Sequence, residues 1–325
     1  MKFSTHIEEW EMRQPFRIAG SEFTHSRSLV VSLSDGQGTG RGEAQGAFYL
    51  GETAESMSAQ LEALAPEIEQ GLDRARLQEA LPPGGARNAL DCALWDLECK
   101  RSGQSIWQLT GIHPKPVCTV FTIGMETTPE AMAEKASAAV RASQIKVKLD
   151  ADRPLEKLTA IRAARPDADL VVDANQSWTF ELLQEILPAC RELGIGMIEQ
   201  PLPRGGDASL EGFDAAVPLC ADESCLHLGE FDIAARRYDM INIKLDKTGG
   251  LTEALALARQ AESSGCRLMV GNMAGTSLSM APAFVIAQLC DYVDIDGPLL
   301  LRHDHINGLH YQDCVVASCP AEFWG

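Results

Sequence analysis

The chain has 325 residues, 45% of them hydrophobic and 23% charged, a balance that excludes a disordered or fibrous protein. Its 46 acidic against 28 basic side chains leave a formal charge of −18, which repels phosphate backbones and anionic headgroups and argues against nucleic-acid and membrane-surface partners. No apolar run approaches the roughly 20 residues of a membrane span, and Glu8 and Glu9 stand where a signal peptide needs a basic and then apolar start, so a cytoplasmic protein is expected.

The first third, residues 1–116, reads as a small α+β domain. SLVVSLSD and the text through Gly42 and Glu43 carry a hairpin or meander signature, bent by Gly36, Gly38, Gly40 and Gly42. Those glycines lack the strand-to-helix context of a nucleotide-binding loop. Helical text follows over residues 53–70 and 86–101, the second with Ala89, Ala93, Leu94 and Leu97 at helical spacing.

From residue 117 the pattern alternates. VCTVFTI, IKVKL, DLVVDA, GMIEQ, LCADE, MINIKL, RLMVG and YVDID are eight strand candidates, separated by helical stretches such as residues 129–143, 155–165, 180–193 and 251–263. This predicts a modified (β/α)8-type barrel over residues 117–298, capped by the N-terminal domain, with a tail from about residue 299 to 325 packing back on that cap. Apolar runs such as LVV and MINI fit strands covered on both faces. Ten cysteines without any Cys-x-x-Cys pair read as buried small hydrophobes, not disulfides.

In such barrels, chemistry sits at the C-terminal ends of the strands. There the third, fourth and fifth strands carry Asp173, Glu199 and Asp222, three oxygen donors that suit a hard cation such as Mg²⁺ with positions left for substrate oxygens. Lys146 and Lys148 share one face of the second strand, and Lys244 ends the sixth, on the opposite side of a closed barrel. Lysines facing each other across a cation site suit proton abstraction next to a carboxylate: one removes the proton, the other returns one from the opposite face, and the cation neutralises the growing charge. Thr122, in the first barrel strand, and Asn272 and Met273, in GNMAGTS, are candidate substrate-lining residues. His303 and His305 form a His-x-His pair that reads as a surface turn and not a metal site.

The segments KVKLD, VVDAN, IEQPL, ADES, NIKLDKTGG and DIDGP, with PPGGARNALDCALWDL in the first domain, resemble the muconate-cycloisomerase branch of the enolase superfamily, most closely its dipeptide epimerases. The resemblance implies one Mg²⁺ per subunit on Asp173, Glu199 and Asp222, acid/base roles for Lys148 and Lys244, and electrostatic support from Lys146. It also implies that Asp294 and Asp296 bind the ammonium group of a dipeptide, and a homo-oligomer is compatible with it. Members specific for a glutamyl residue carry an arginine in the loop after the first strand; here that loop reads IAGSEFTHSRS, with Phe23 near the arginine's place and Arg17 and Arg27 flanking it. The second cap loop offers Phe48, Tyr49 and Leu50, so apolar or aromatic C-terminal residues enter beside L-Ala-D/L-Glu as expected substrates. Alternatives are racemisation of N-acylamino acids, a cycloisomerase or dehydration reaction, Schiff-base chemistry on Lys148 or Lys244, and a catalytically silent barrel that only binds.

Overall fold

The computed structural model describes residues 1–18 and 20–325. It opens with three antiparallel strands, β1 (Lys2–Ile18), β2 (Ser21–Ser34) and β3 (Thr39–Ala44). The loop IAGSEFTHSRS is therefore largely strand: Phe16 pairs with Phe23, Arg17 with Glu22 and Ile18 with Ser21. Ala19 lies outside the described residues. Alternation of Phe16 and Ile18 with Arg17 supplied a strand signal that the loop expectation passed over.

The glycines of β3 serve packing. A Cβ on Gly40 would lie 2.2 Å from the Ala93 carbonyl oxygen and 2.4 Å from the Leu97 nitrogen, so the helix Gly85–Ser102 can approach only a bare backbone. That helix is buried along most of its length and, with Leu29, Val31 and Leu33 of β2, forms the core of the cap. The expected helix over residues 53–70 is two shorter ones, Ala54–Ala63 and Ala65–Glu69, the first started by a Thr53 and Ser56 capping box.

The barrel follows. The expected first strand VCTVFTI is divided: β4 (Val117–Cys118) joins a small sheet with the tail, and only β5 (Phe121–Ile123) joins the barrel. Thr119 marks the switch, since its nitrogen donates to Cys314 O (2.8 Å) while its hydroxyl accepts from Ile295 N (3.0 Å). β6 (Gln144–Lys148), β7 (Asp169–Asp173), β8 (Ile195–Glu199), β9 (Leu219–Ala221), β10 (Met240–Ile243), β11 (Arg267–Val270) and β12 (Tyr292–Val293) complete eight parallel strands in sequence order. Val120 N donates to Val293 O (2.8 Å), joining the two edges of the sheet. Val120, Val171, Met197, Cys220, Met240 and Met269 fill the interior, and Leu, Ile and Val side chains pack the outer layer against the helices. The fold is the expected barrel with an α+β cap.

The helix expected over residues 129–143 ends at Ala138, because Arg165 draws the Ala142 carbonyl (2.7 Å) and that of Ala139 out of the helical path. In the tail, β13 (His310–Gln312) pairs with β14 (Val315–Ala317) and β14 with β4, Trp324 Nε1 donates to Arg41 O (3.1 Å), and Gly325 N donates to Asp96 (2.9 Å). His303 is exposed, but His305 is half-buried against Trp10 (ring centroids 5.1 Å apart) and Phe323, so the surface-turn expectation holds only for the first of the pair. All ten cysteines are free; Cys118, Cys266, Cys290, Cys314 and Cys319 are only partly buried, in contrast to the expectation of uniform burial.

Glu43 ties cap to barrel from a fully buried position, accepting from Thr276 N (3.1 Å), Thr276 Oγ1 and Gln45 Nε2 (2.6 Å). Burial raises its pKa to about 7 against those hydrogen bonds. An acid raised on folding keeps its proton in the native state while the unfolded chain releases it. Stability therefore falls as pH rises from the ordinary carboxyl pKa of 4.5 towards 7, by about 3 kcal/mol at most for this group. Glu43→Gln is expected to flatten the decline of melting temperature between pH 5 and about 7.5; an unchanged slope would show that Glu43 is ionised throughout.

Candidate active site

The strand ends bring the expected acids together at one mouth of the barrel. Asp173 and Glu199 are the last residues of β7 and β8, Asp222 follows β9, and all three are 0% exposed, which excludes their reading as surface caps. Each has one oxygen anchored by a neighbouring donor. Asp173 Oδ1 accepts from Asn175 N (2.9 Å), Glu199 Oε1 from Asn242 Nδ2 (2.7 Å) and Asp222 Oδ1 from Lys247 Nζ (2.7 Å). Their other oxygens meet ammonium groups: Asp173 Oδ2 lies 2.5 Å from Lys148 Nζ, Glu199 Oε2 2.7 Å from Lys146 Nζ, and Asp222 Oδ2 2.6 Å from Lys244 Nζ.

These side chains as they stand do not close round an ion; no group of three or more His, Cys, Asp or Glu among the described residues does. Their chemistry nevertheless fits a hard cation. Three carboxylates held by outer hydrogen bonds each present one oxygen, and Glu199 Oε2 is buried without any hydrogen bond despite its closeness to Lys146.

Lys148 and Lys244 stand on β6 and just after β10, strands four places apart in the eight-strand order, so they face the cavity from opposite sides. Lys146 is 1% exposed and reaches Asp294 (2.7 Å), Glu199 (2.7 Å) and Asp173 (3.1 Å). Burial works against its charge, but those carboxylates outweigh burial and hold its pKa well above the usual lysine value. Lys244 is likewise raised, burial being outweighed chiefly by Asp222. For Asp173, burial is overcome by Lys148 and Lys146, which keep its carboxyl at about 2. Glu199 moves the other way, to about 7, through burial and the Asp173 charge.

Asp294 and Asp296 both line the same cavity. Strand β12 stops at Val293, so they belong to the turn beyond it rather than to the strand that the sequence predicts. Asp294 is held by Lys146 and by Asn272 Nδ2 (3.2 Å), and Asp296 by Thr122 N (2.8 Å). Burial and the Asp294 charge raise Asp296 to about 7. Thr122, Asn272, Met273 and Phe23 also line the cavity, which has a volume of about 350 Å³. Its outer part is apolar: Phe16, Ile18, Met273 and Leu300 lie there, and Phe23 meets Phe48 edge-on with ring centroids 5.2 Å apart. Arg17 is ion-paired with Glu22, and Arg27 lies 2.7 Å from Glu55 and 3.3 Å from Glu9.

Sequence reasoning missed Lys247 and Asn242. Lys247 is 2% exposed and donates to Asp222, Cys225 O (3.1 Å) and Asn242 O (2.8 Å). Its position three residues after Lys244, on the short helix Leu245–Thr248, was the available signal.

A capped parallel barrel with buried acids and lysines interleaved at its mouth defines a class of enzymes shaped around small molecules. Residues 2–111 match the family model for the mandelate racemase / muconate lactonizing enzyme N-terminal domain, and residues 130–316 match the enolase C-terminal domain-like model. The chain belongs to the enolase superfamily. It is 45% identical over 300 residues to L-Ala-D/L-Glu epimerase of Escherichia coli, covering 91% of this chain and 93% of that one. An enolase family member from Agrobacterium tumefaciens with homology to dipeptide epimerases, solved with sodium and L-Ala-L-Glu, superposes with a TM-score of 0.96 at 42% identity over 99% of both chains. A dipeptide epimerase from Enterococcus faecalis, complexed with Mg and L-Leu-L-Tyr, superposes with a TM-score of 0.90 at 25% identity over 97% of this chain and 96% of that one.

Proposed function

We infer that the protein is an isomerase, a divalent-cation-dependent dipeptide epimerase acting at the α-carbon of the C-terminal residue. The observation that carries this reading is the pair Lys148 and Lys244, facing one cavity from opposite sides with Asp173, Glu199 and Asp222 between them. Mg²⁺ on the three acids is part of the reading, supported by the hard oxygen donor set, by the Glu199 Oε2 left without a hydrogen bond and by the Enterococcus faecalis complex. A cation bound there supplies charge neutralisation beside the substrate carboxylate. In its neutral form one lysine takes the α-proton, and the opposite ammonium returns a proton to the other face, inverting the centre. Asp294 and Asp296 support a substrate with a cationic end: a carboxyl raised by a neighbouring carboxylate gains when an ammonium group arrives. Neither an N-acylamino acid nor a muconate brings one. A cytoplasmic location fits the ten free cysteines, and no helix among the described residues is long and apolar enough to cross a membrane.

The test is a dipeptide panel assayed for α-hydrogen exchange in D₂O with Mg²⁺ present. Exchange on dipeptides and none on N-acetylated amino acids is the expected result; silence across the panel would overturn the reading.

Specificity follows from the outer cavity. With Phe23 against Phe48, and Arg17 and Arg27 committed to glutamates, a glutamyl carboxylate finds no unpaired arginine among the described residues there. A missing charged partner forfeits about 1.5–3 kcal/mol, roughly ten-fold to over a hundred-fold in rate constant. We expect kcat/KM for L-Ala-L-Phe or L-Ala-L-Leu to equal or exceed that for L-Ala-L-Glu. A more than ten-fold preference for L-Ala-L-Glu would mean that Arg27 leaves Glu55 for the substrate, and Arg27→Gln would then remove the preference.

A further inference from the structure

Gln200, the residue after Glu199, takes no part in the proton transfers, yet its contacts join the strand ends that carry the three acids. It is 0% exposed, and its φ of 37° lies in the left-handed region, which a residue with a side chain holds only where its surroundings fix it. Gln200 N donates to Cys220 O (2.8 Å), two residues before Asp222, and Gln200 O accepts from Gln176 N (2.8 Å), three residues after Asp173. A parallel ladder continued past this point would bring Asp222 N onto Gln200 O; with that carbonyl turned to Gln176, the acceptor's place falls to the side chain.

Gln200 Oε1 accepts from Asp222 N (2.9 Å) and Ser224 N (2.9 Å). Its Nε2 donates to Leu202 O (2.8 Å) and lies 2.8 Å from Ser224 Oγ and 3.1 Å from Tyr238 Oη. Two backbone N–H groups require an acceptor and a carbonyl requires a donor, a combination that a neutral amide meets and a carboxylate does not. Lys247 grips Asp222 by O and Oδ1 (2.6 and 2.7 Å), and Gln200 holds its nitrogen. Asp173 is held from elsewhere, by Asn175 N (2.9 Å), and pairs with Lys148.

Resting on the epimerase reading, we propose that Gln200 is a positioning residue: its amide fixes the Asp222 main chain against Glu199 and so sets the spacing of the carboxylates that hold the cation and the place of Lys244, 2.6 Å from Asp222 Oδ2. The side-chain clamp is one-sided. It reaches Lys244 through Asp222 and leaves the pair Asp173 and Lys148 on its own supports.

Gln200→Met keeps the length of the side chain and removes both halves of the amide. Gln200→Gly removes them too but relieves the left-handed φ, so the two variants differ in stability and share one defect at Asp222. Calorimetric titration with Mg²⁺ alone, at a temperature where each protein is folded, is expected to show binding weakened about ten- to a hundred-fold in both. At saturating Mg²⁺ the loss should be unequal. Exchange in D₂O of the dipeptide stereoisomer served by Lys244, the one that Lys148→Ala still exchanges, should fall about ten-fold further than exchange of the other. Ordinary destabilisation would lower both alike. Mg²⁺ affinity within about two-fold of the wild type in either variant, or equal loss on both isomers, would overturn the proposal and leave the epimerase reading standing. A wild-type protein that binds no Mg²⁺ and exchanges no dipeptide would instead overturn the epimerase reading and this proposal with it.

Discussion

Lys148→Ala and Lys244→Ala are each expected to abolish epimerisation, with kcat falling by about 10³-fold or more, while each retains a different half of the chemistry. The two ammonium groups reach the cavity from strands on opposite sides of the barrel and are held by different acids, Lys148 by Asp173 (2.5 Å) and Lys244 by Asp222 (2.6 Å). A substrate α-carbon between them offers its hydrogen to one lysine in one configuration and to the other lysine in the mirror configuration. Removing one lysine therefore leaves the other able to exchange the hydrogen of a single stereoisomer with solvent deuterium, without inversion. The expected pattern is complementary: one variant exchanges only the L,L-dipeptide and the other only the L,D-dipeptide, as read by NMR in D₂O. If either single variant still epimerises at the wild-type rate, or if both exchange the same isomer, the two-base reading fails. Lys146→Ala should behave differently. It strips charge from Asp173, Glu199 and Asp294 together and should depress exchange of both isomers alike.

Much of this was legible in the sequence, for a physical reason. Barrel strands are covered on both faces and carry polar groups only where they end, so an acid or lysine closing an apolar run is conspicuous: Asp173 after LVV, Glu199 after GMI, Lys244 after MINI. What was not legible depends on contacts between segments far apart in the chain. Thr119 divides one apparent strand between two sheets because its partners, Cys314 and Ile295, lie in the distant tail. Phe16–Ile18 pair with Ser21–Phe23, and Phe23 closes on Phe48, a contact that no local pattern announces. Lys247 resembles a solvated helix lysine until the fold sets it beneath Asp222.

The second large effect concerns the acids. Stripping divalent cations with EDTA is expected to abolish activity and Mg²⁺ to restore it, while Glu199→Gln should reduce kcat at least about 100-fold even at saturating Mg²⁺. Glu199 is the most informative of the three because its replacement disturbs the fold least. Its Oε1 accepts from Asn242 Nδ2 (2.7 Å), a bond that a glutamine oxygen can keep, and burial with the Asp173 charge already holds its carboxyl at about 7, so a neutral side chain costs the native state little. Asp222→Asn is a different case. It leaves Lys244 and Lys247 buried against a neutral amide, and breaking a buried pair in this way costs about 3–5 kcal/mol, so lost activity there would be confounded with lost structure. Calorimetric titration of the two proteins with Mg²⁺ separates the cases: Glu199→Gln should melt within a few degrees of the wild type yet bind the ion at least ten-fold more weakly. Full activity in EDTA, or a Glu199→Gln enzyme within two-fold of the wild type, would remove the cation from the site, leaving the lysines alone as the charge that the acids balance.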